Sequence, residues 1–414
     1  MNNSNKITFI AFLTIFLDLL GFGIIIPVGA YYAESFGASP SMITLLGATY
    51  SFMQFFFAPI LGKISDKIGR RPIMLLSIAV AAIGHFMYSY ATTLSMLFIA
   101  RIIAGMGTAN IGTAQAIISD ITTKENRNRG MGLIGAAFGL GFVFGPGIGA
   151  LLSQISPSTP FFGAGVLSVV NLILAFFILP ETKHEDSQPS ERSIFPIEQF
   201  KNAINIPNLY AIFMLTFLYT VGFGLMEQSI ALFIEHVWVD LTLASEEKLA
   251  IGTKYTGIFL VLIGIVSSII QGGLIGKLTI KFGLIPLIRW GIIFTACSIL
   301  LIPFMSHFSH FWYMLILAPI MAIGTAILNP SKATLLSLSV QNEEQGSILG
   351  LNQSFAALGR VIGPACAGFI YEINISFPFW AGSVLLLSSL IFVQKCVVPP
   401  STEEPDNDDL NEKE

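Results

Sequence analysis

Charged residues are scarce in this sequence. Asp, Glu, Lys and Arg together make up 11% of its 414 residues, whereas a soluble domain carries about 25%. Hydrophobic residues account for 54%. A chain so poor in charge cannot cover a water-facing surface, which excludes an ordinary soluble domain. The composition predicts a protein that crosses a lipid bilayer many times and has no nucleic acid among its partners.

Cysteine is also scarce, and the few cysteines present do not form a pattern that indicates a disulfide framework. Cys297, Cys366 and Cys396 all lie in apolar segments. An odd number of cysteines inside such segments argues against a disulfide scaffold and against a metal site. The apolar segments likewise show no nucleophile–base arrangement of the kind that an enzyme uses. We therefore predict a protein that is not an enzyme and that holds no metal or other cofactor.

Long apolar runs, by contrast, are abundant. About 20 apolar residues are enough to cross a bilayer as a helix, and twelve such runs can be counted. The first follows Lys6 and lacks a small-residue cleavage site, so we expect a retained helix rather than a signal peptide. The twelve predicted spans, numbered in chain order, are 7–29, 41–61, 73–91, 94–118, 130–153, 161–180, 208–234, 254–276, 286–305, 311–335, 345–370 and 377–397.

The polar segments divide these spans into two groups of six. The longest of them, residues 181–207, separates the sixth span from the seventh and is rich in charged and polar residues. We predict an all-α membrane protein with an amino-terminal half, 1–180, and a carboxy-terminal half, 208–397, joined by this linker. Residues 398–414 are acidic and have no apolar anchor, and such a composition predicts a disordered cytoplasmic tail.

A short basic segment lies between the second and third spans. Residues 62–72 read GKISDKIGRRP. A loop this short makes the two spans antiparallel neighbours, and its positive charge predicts the cytoplasmic side. Most of the 21 Lys and Arg residues then fall in segments on that side, whereas the loops on the opposite side hold only Lys248 and Lys254. Both termini are therefore predicted to be cytoplasmic.

The second half contains a degenerate copy of the same segment. GKLTIKFG at 276–283 aligns with GKISDKIG at 62–69 and falls between the eighth and ninth spans. The copy lacks the Asp and the Arg pair. Two six-helix repeats around a cavity at the membrane midplane are a usual design of secondary transporters, so the repeat favours that class.

Two carboxylates lie deep in predicted spans, Asp18 in the first and Glu227 in the seventh. A charge at the bilayer centre costs about 2.5–3.5 kcal/mol on insertion scales, so such residues usually face a cavity or a partner. Both are candidates for binding and releasing protons. A carboxylate paired with Arg101 for packing remains an alternative for Asp18, and a satisfied polar residue remains one for Glu227. Arg101, in the fourth span, stays protonated and would pair with a carboxylate.

The basic segment resembles the loop signature between the second and third helices of the major facilitator superfamily. The matching residues are Gly62, Asp66, Gly69, Arg70 and Arg71. Together with Met53-Gln54 and Ala58-Pro59 upstream, the segment is most similar to that of the drug:proton antiporters, and of the tetracycline-type exporters in particular. The resemblance covers nearly the whole chain and implies twelve transmembrane helices in two six-helix repeats, a small-molecule substrate and a monomer.

The resemblance also implies roles for the charged residues. The first span, with its pattern LDxxGxGxxxP, is similar to a helix that is linked to proton coupling, which would assign this role to Asp18. The segment that begins with Arg101 is similar to the fourth-helix signature of the superfamily, and the resemblance implies that Arg101 and Asp18 are partners. Glu227 is the corresponding candidate in the second half.

A cytoplasmic charge cluster is implied in the same way. Asp120, at the end of the fourth span, would join Asp66 and Arg70 in a cluster that stabilises the outward-open state. Asp66 would then favour the positive amino-terminal end of a facing helix, for which the start of the eleventh span near Gln345-Gly346 is the candidate.

The fifth span is dominated by small residues. Residues 135–149 read GAAFGLGFVFGPGIG and resemble the antiporter motif GxxxGPxxGG, except that Ala150 replaces the last glycine. The motif residues are Gly141, Gly145, Pro146 and Gly149. Small residues at this density let helices approach closely. A gate between the two halves and a plain helix-packing surface are both compatible with the pattern.

Candidate substrate contacts lie in the second and eleventh spans. The eleventh resembles that of the tetracycline-type exporters, and we predict Asn352 and Gln353, with Gln54 in the second span, as hydrogen-bonding groups for a substrate. Those exporters also carry an acid in helix 3, a His in helix 8 and an acid in helix 9. This sequence has Gly84-His85 in the third span and neither group in the other two. The resemblance therefore implies the antiporter class rather than tetracycline as the substrate.

These features together predict a secondary transporter of a bacterial-type inner membrane. It would export a small amphipathic or lipophilic compound in exchange for protons, with the proton motive force as its energy source. A proton symporter that imports a metabolite is the main alternative. A receptor or scaffold that does not transport is a further alternative, against which Asp18, Arg101 and the glycines of the fifth span argue.

Overall fold

The computed structural model describes residues 3–121, 137, 140–141, 144–182, 207–240, 242–339, 345–394 and 396. Within these ranges the regular elements are all helical and none is a strand. Ten helices in the described ranges are long and apolar enough to cross a membrane. The partly described fifth span, helical at 144–152, and the shorter apolar helix Phe377–Val393 complete the predicted set. The all-α fold class is therefore confirmed.

The helices begin and end close to the predicted positions. In the first half they are Asn3–Glu34, Pro40–Ile68, Arg70–Ser89, Leu94–Gly107 with Ile111–Ile121, and Thr159–Ile178. In spans 7 to 9 they are Pro207–Trp238, Ser245–Ile269 with the π-helical turn Ile270–Leu274 and Ile275–Phe282, and Leu284–Leu301 with the 3-10 turn Ile302–His307. In spans 10 to 12 they are Phe311–Ile316 with Leu317–Leu338, Gln345–Ile373, and Phe377–Ser388 with Leu390–Val393. The linker at 183–206 and the tail at 397–414 lie outside the described residues.

The basic segment between spans 2 and 3 is mostly helical, so the predicted loop at 62–72 is wrong. Span 2 continues to Ile68 and span 3 begins at Arg70, which leaves Gly69 alone as the turn. Gly69 has a φ of 123°, a conformation that glycine adopts readily and other residues rarely do. Charged residues did not end the helix because long basic side chains reach water while the backbone hydrogen bonds continue.

The copy of this segment in the second half turns in the same way. The helix Ile275–Phe282 ends at Gly283, which has a φ of 78°, and the next helix begins at Leu284. One glycine with positive φ therefore makes the tight turn between the second and third helices of each half.

The halves also repeat each other in how their helices pack. Span 1 reads FLDLLGFG at 16–23, and span 7 reads FLYTVGFG at 217–224. In the first half, a Cβ on Gly145 would lie 2.6 Å from the Cα of Gly23. In the second half, a Cβ on Gly363 would lie 3.3 Å from the Cα of Gly224. Gly145 and Pro146 form a Gly-Pro pair in span 5, and Gly363 begins a second Gly-Pro pair in span 11. In each half, one such pair thus lies where a helix crosses the first helix of that half.

A methyl group at Gly145 is expected to destabilise the protein. Because the Cβ of Gly145→Ala would meet backbone atoms of Gly23, a helix must shift, and such overpacking costs about 1–3 kcal/mol. Gly350→Ala is the matched control, since a Cβ there meets nothing within 4 Å and alanine favours the helix by about 0.5–1 kcal/mol. Thermal unfolding in detergent should shift in opposite directions for the two variants. Shifts of the same sign would contradict the close crossing of spans 1 and 5.

Hydrogen bonds join the two halves at one end of the bundle, which we call the Tyr31 end. The hydroxyl of Tyr31, in span 1, donates to the carbonyl oxygen of Ala231 at 2.9 Å. It also lies 2.8 Å from the hydroxyl oxygen of Thr256. A Cβ on Gly252 would lie 2.7 Å from the Tyr31 ring. Span 1 therefore packs directly on spans 7 and 8 at this end.

Spans 2 and 11 form the second contact between the halves. The N–H of Gly368 donates to the hydroxyl oxygen of Thr44 at 3.0 Å. Farther along the same two helices, a Cβ on Gly62 or on Gly350 would meet no atom within 4 Å. Both positions therefore have open space beside them. We call the end of the bundle that carries Gly69 the basic end. Among the described residues, the hydrogen bonds of Tyr31 and Thr44 join the two halves toward the Tyr31 end.

Candidate functional site

Asp18 lies midway along the helix Asn3–Glu34 and is the centre of a polar network in the first half. Asn110, which precedes the helix Ile111–Ile121, donates from Nδ2 to one carboxylate oxygen at 2.7 Å. Asn171 of span 6 donates from Nδ2 to the other at 3.1 Å, and to the carbonyl oxygen of Thr14 at 3.2 Å. An amide side chain can donate to a carboxylate or accept from a carboxylic acid. The two asparagines can therefore hold Asp18 in either protonation state.

Arg101 is not the ion-pair partner of Asp18, so that prediction is wrong. Both residues are described, and the ion pairs within 4.0 Å among the described residues do not include them. The guanidinium carbon of Arg101 lies 4.6 Å from the ring centroid of Tyr88 and 5.7 Å from that of Tyr50. Aromatic faces attract cations. The packing of spans 2, 3 and 4 therefore directs the guanidinium onto two rings rather than onto the carboxylate.

A second group of charges lies in the opposite half. Glu227 of span 7 interacts electrostatically with Arg360 of span 11, and Arg360 in turn acts on Lys332 of span 10. The ammonium nitrogen of Lys332 lies 5.1 Å from the centroid of the Tyr219 ring. The sequence placed Lys332 and Arg360 inside spans but assigned them no role. The interactions of Arg360 with Glu227 and with Lys332 depend on the packing of three separate helices, so a local sequence pattern does not predict them.

Tyr219 occupies the position in span 7 that Asp18 occupies in span 1. The matching octapeptides place an aromatic hydroxyl in one half and a carboxyl group in the other. Each also has an asparagine donor, because Asn329 Nδ2 lies 3.4 Å from the Tyr219 hydroxyl just as Asn110 contacts Asp18. The two halves thus share a geometry but only the first has a titratable carboxyl group at this position.

Tyr50, in span 2, lies between the two groups of charges. Its ring stacks on Phe22 with the centroids 5.5 Å apart. It interacts electrostatically with Asp18 and Arg101 in its own half and with Arg360 in the other half. The charged residues of the two halves therefore face one central region.

The predicted substrate contacts differ in their surroundings. Gln54 donates from Nε2 to the carbonyl oxygen of Thr108 at 3.1 Å, which ties this amide to span 4. Asn352 is buried, and its Oδ1 has no hydrogen-bond partner in the described part of the chain. Gln353 is exposed. A buried acceptor without a donor is costly, so the Oδ1 of Asn352 is available to a donor group of a bound molecule.

The charged residues at the basic end form a compact cluster in the first half. The guanidinium of Arg70 donates from Nη1 to the carboxylate of Asp66 and, at 2.8 Å, to the hydroxyl oxygen of Ser65. Its Nε lies 3.3 Å from a carboxylate oxygen of Asp120. The structure therefore brings together Asp66, Arg70 and Asp120 from spans 2, 3 and 4. Stabilisation of an outward-open state by this cluster, and a contact of Asp66 with Gln345-Gly346, remain predictions.

Glu181 completes this cluster and was missed, because it was assigned to the linker. Its carboxylate accepts from the backbone N–H of Arg70 at 2.8 Å and from that of Arg71 at 3.2 Å. It thus caps the first turn of span 3, where a negative charge is favourable. The guanidinium of Arg71 donates to the carbonyl oxygen of Phe176 at 2.7 Å. The sequence did offer a signal, because Glu181 directly follows Pro180, the last residue of the predicted span 6.

The glycines of the fifth span contact both halves. Gly141 and Gly149 face span 1, and a Cβ on Gly149 would overlap the carbonyl oxygen of Ile24. On another side of the same helix, a Cβ on Gly147 would lie 3.0 Å from a methyl carbon of Val261 in span 8. The motif is therefore a packing surface on span 1 that also lies at the interface between the halves.

Ionisable residues also gather at the Tyr31 end. The ammonium nitrogen of Lys248 lies 3.5 Å from a carboxylate oxygen of Glu235, which is largely buried. Glu235 was missed because the predicted span 7 ended one residue before it, whereas the helix continues to Trp238. A cavity of about 110 Å³ lies here between the halves, and it is lined by Tyr31, Glu34, Ser35, Glu235, Lys248 and Leu249.

Two groups of helices that are joined toward the Tyr31 end and bring charged residues to one central region are typical of a secondary transporter. The sequence model of the Major Facilitator Superfamily matches residues 11–308 and 256–413. The chain belongs to this superfamily, as its resemblance indicated. It is a multi-pass membrane transporter and not an enzyme.

Similar proteins cover nearly the full length. Tetracycline resistance protein, class B of Escherichia coli is 30% identical over 402 residues, which are 96% of this chain and 94% of that protein. Multidrug resistance protein 2 of Bacillus subtilis (strain 168) is 29% identical over 394 residues, with 93% and 94% covered. The solved structure of the human organic anion transporter MFSD10 (TETRAN) has a TM-score of 0.71 at 22% identity, with 95% of this chain and 100% of that chain covered. At this identity the structural likeness concerns the fold alone.

Proposed function

We propose that this protein exports a small amphipathic or lipophilic compound in exchange for protons. The observation that carries the proposal is the surroundings of Asp18, a carboxyl group midway along a membrane span with two neutral amides as hydrogen-bond partners. A carboxylate held by a cation would be stabilised in its charged form. A carboxyl group between amides can gain or lose a proton and still have a partner for each of its oxygens.

Export is favoured over import by the relatives. The similar proteins of Escherichia coli and Bacillus subtilis are named for resistance to tetracycline and to multiple drugs, and removal of a compound from the cell is the resistance mechanism that a transporter fold can supply. The absence of an acid in span 9 argues against tetracycline itself. A hydrophobic or amphipathic compound suits a central region that combines aromatic rings with a few buried charges.

The basic end is proposed to face the cytoplasm, in a bacterial inner membrane. Lys63, Lys67, Arg70 and Arg71 lie at this end in the first half, and Lys and Arg are retained on the cytoplasmic side of membranes. With this orientation the Tyr31 end, where Tyr31 and Thr44 join the halves, faces the outside. The charge cluster of Asp66 is proposed to stabilise the outward-open state.

The exchange cycle follows from alternating access. With the Tyr31 end open, Asp18 and Glu227 would take up protons from outside. With the basic end open, they would release protons to the cytoplasm as the substrate binds. Gln54, Asn352 and Gln353 are proposed as polar contacts for the substrate. The glycines of span 5 would let spans 1 and 8 slide past each other as the halves move.

The test is proton flux across proteoliposomes that contain the purified protein and an imposed pH gradient. Lipophilic cations, neutral drugs, tetracyclines and metabolites are added one at a time. We expect at least one amphipathic compound to drive protons in the direction opposite to its own movement. Protons that move together with the compound would replace exchange by symport. A protein that moves no compound and no protons across such a panel would contradict the transport proposal.

A further inference from the structure

Positive charge is in excess in the central region. The two groups of charges contain three basic side chains, Arg101, Lys332 and Arg360, and two acids, Asp18 and Glu227. Among the described residues, no ion pair within 4.0 Å includes any of these five. Even when both acids are ionised, one positive charge remains without a counter-charge. Buried charges are usually compensated by a partner, so the excess requires an explanation.

Lys332 is the least compensated of the three cations. Only 8% of the residue is exposed. The ring of Tyr219 is its aromatic neighbour, at 5.1 Å from the ammonium nitrogen, and the charge that acts on it is that of another cation, Arg360. Two like charges beside each other repel, and an aromatic face offsets only part of the lost hydration of an ammonium group. The geometry is that of a site whose anion is supplied from outside the protein.

Arg101 and Arg360 have further partners within the protein, although the buried Nε of Arg101 has no hydrogen-bond acceptor among the described residues. Arg101 lies over two aromatic rings, and Arg360 interacts with the carboxyl group of Glu227. When Glu227 is protonated, however, Arg360 also loses its counter-charge. Lys332 and Arg360 then present two cations to the same part of the central region, and both are donors only.

The surroundings of this pair of cations are aromatic. The ring of Tyr219 stacks on that of Phe223, with the centroids 5.7 Å apart and an interplanar angle of 19°. Phe223 is only partly buried, which leaves part of its face available. An anionic group at Lys332 would therefore be attached to a flat, apolar body that packs on these rings.

We infer that Lys332 and Arg360 form a subsite for an ionised acidic group of the transported compound, whose aromatic body packs against Tyr219 and Phe223. The inference deepens the proposed export function and rests on it, because it names the chemical class of the exported compound. The acidic group is a carboxylate or a comparably strong acid, which accepts charge-assisted hydrogen bonds from ammonium and guanidinium groups.

The charge of the substrate then determines how it acts on the protons. A simple organic anion at this subsite adds negative charge near Asp18 and Glu227, which favours the protonated acids. A zwitterion brings in addition a cationic group, which competes with protons for the two carboxylates. A zwitterion is therefore expected to displace protons, and a simple anion to bind without displacing them.

The experiment compares four probes that share one pyrene ring system. They are 1-pyrenebutyrate, its neutral amide, the zwitterion 1-pyrenylalanine and the cation 1-pyrenemethylamine. Binding to the full-length protein in lipid nanodiscs is measured by fluorescence at neutral pH. We expect the two probes that carry a carboxylate to bind at least about tenfold more tightly than the amide. The reason is that a carboxylate accepts charge-assisted hydrogen bonds at the subsite, which are stronger than those of a neutral amide.

Variants of Lys332 assign this preference to the subsite. Lys332→Met is expected to bring the ratio of carboxylate to amide affinity close to one, and Lys332→Arg is expected to retain most of it. Lys254→Met is the matched control, since Lys254 is an exposed lysine at the start of the predicted span 8. Elution of each variant as a single species establishes that it is folded.

The outcomes separate this inference from the export proposal. Equal binding of acid and amide by the wild-type protein, no binding of the acid, or a preference unchanged in Lys332→Met would each overturn the subsite. A preference that depends on Lys332 in a protein that moves no compound across proteoliposomes would keep the subsite and overturn export. Proton-driven transport of neutral or cationic compounds, without any preference for acids, would support export and overturn the subsite.

Discussion

An Asp18→Asn variant is expected to lose proton-driven accumulation completely while it remains folded. The new amide has nearly the shape of the carboxyl group between Asn110 and Asn171 but has no proton to exchange. One proton that crosses about 150 mV supplies about 3.5 kcal/mol, which sustains a substrate gradient of about 300-fold at tenfold per 1.4 kcal/mol. Without this coupling, the substrate ratio across the membrane should fall to about one.

The measurement is the steady-state substrate ratio in proteoliposomes with an imposed pH gradient. Asp240→Asn is the matched control, because Asp240 is an exposed carboxylate outside the spans. Hydrogen bonds from the N–H and the hydroxyl of Thr242 lower the pKa of Asp240, so it stays ionised at neutral pH and takes no part in coupling. Substrate counterflow without a pH gradient should persist in Asp18→Asn. Full proton-dependent accumulation by this variant would remove Asp18 from the coupling mechanism.

A Gly368→Trp variant is expected to stop transport by keeping the Tyr31 end open. Gly368 packs against the start of span 2, where a Cβ would lie 2.5 Å from the Cα of Ser41 and would also overlap the carbonyl oxygen of Pro40. An indole ring cannot be placed there while spans 2 and 11 are in contact. Overpacking of this kind costs more than the about 1 kcal/mol of each hydrogen bond that closes the interface, so the two helices separate.

Cross-linking reports this separation directly. In the closed state the N–H of Ser41 donates to a carboxylate oxygen of Glu372 at 3.0 Å, so cysteines at these two positions can be joined by a short bifunctional reagent. The native cysteines are first replaced by serine. We expect cross-linking to fall at least about tenfold in Gly368→Trp. Such a fall corresponds to a shift of about 1.4 kcal/mol or more in the equilibrium between contact and separation of spans 2 and 11.

Phe369→Trp is the control for the size of the new side chain. Phe369 is the next residue of the same helix, and 52% of it is exposed, so a larger ring fits without moving span 2. It should cross-link and transport as the wild type does. Normal cross-linking and transport by Gly368→Trp would show that contact of spans 2 and 11 is not part of the transport cycle.

Much of the membrane topology was predictable because it depends on local sequence. A helix that crosses lipid must satisfy its own backbone hydrogen bonds and must be apolar over its length, so each span could be recognised separately. The positions of Asp18 and Glu227 could be read in the same way, because a carboxylate in an apolar run is unusual. The segment at 62–72 was the exception. Its charges indicated a loop, whereas one glycine with positive φ was enough for the turn.

The partners of the buried charges were not predictable from local sequence. Arg101 was expected at Asp18 and instead lies over Tyr88 and Tyr50. Glu181 and Glu235 lay at or just beyond predicted helix ends, where boundaries are least certain. Each of these contacts joins different helices, and it depends on the rotation of each helix about its axis.

The sequence by itself determined that this chain is a helical membrane protein with two related halves, and that a carboxyl group lies midway along its first span. The tertiary structure alone decided which groups meet: two asparagines at Asp18, two rings at Arg101, and the ring of Tyr219 at Lys332. The physical reason is that apolar composition is a property of each segment, whereas the pairing of charges in a low-dielectric interior depends on distances between segments.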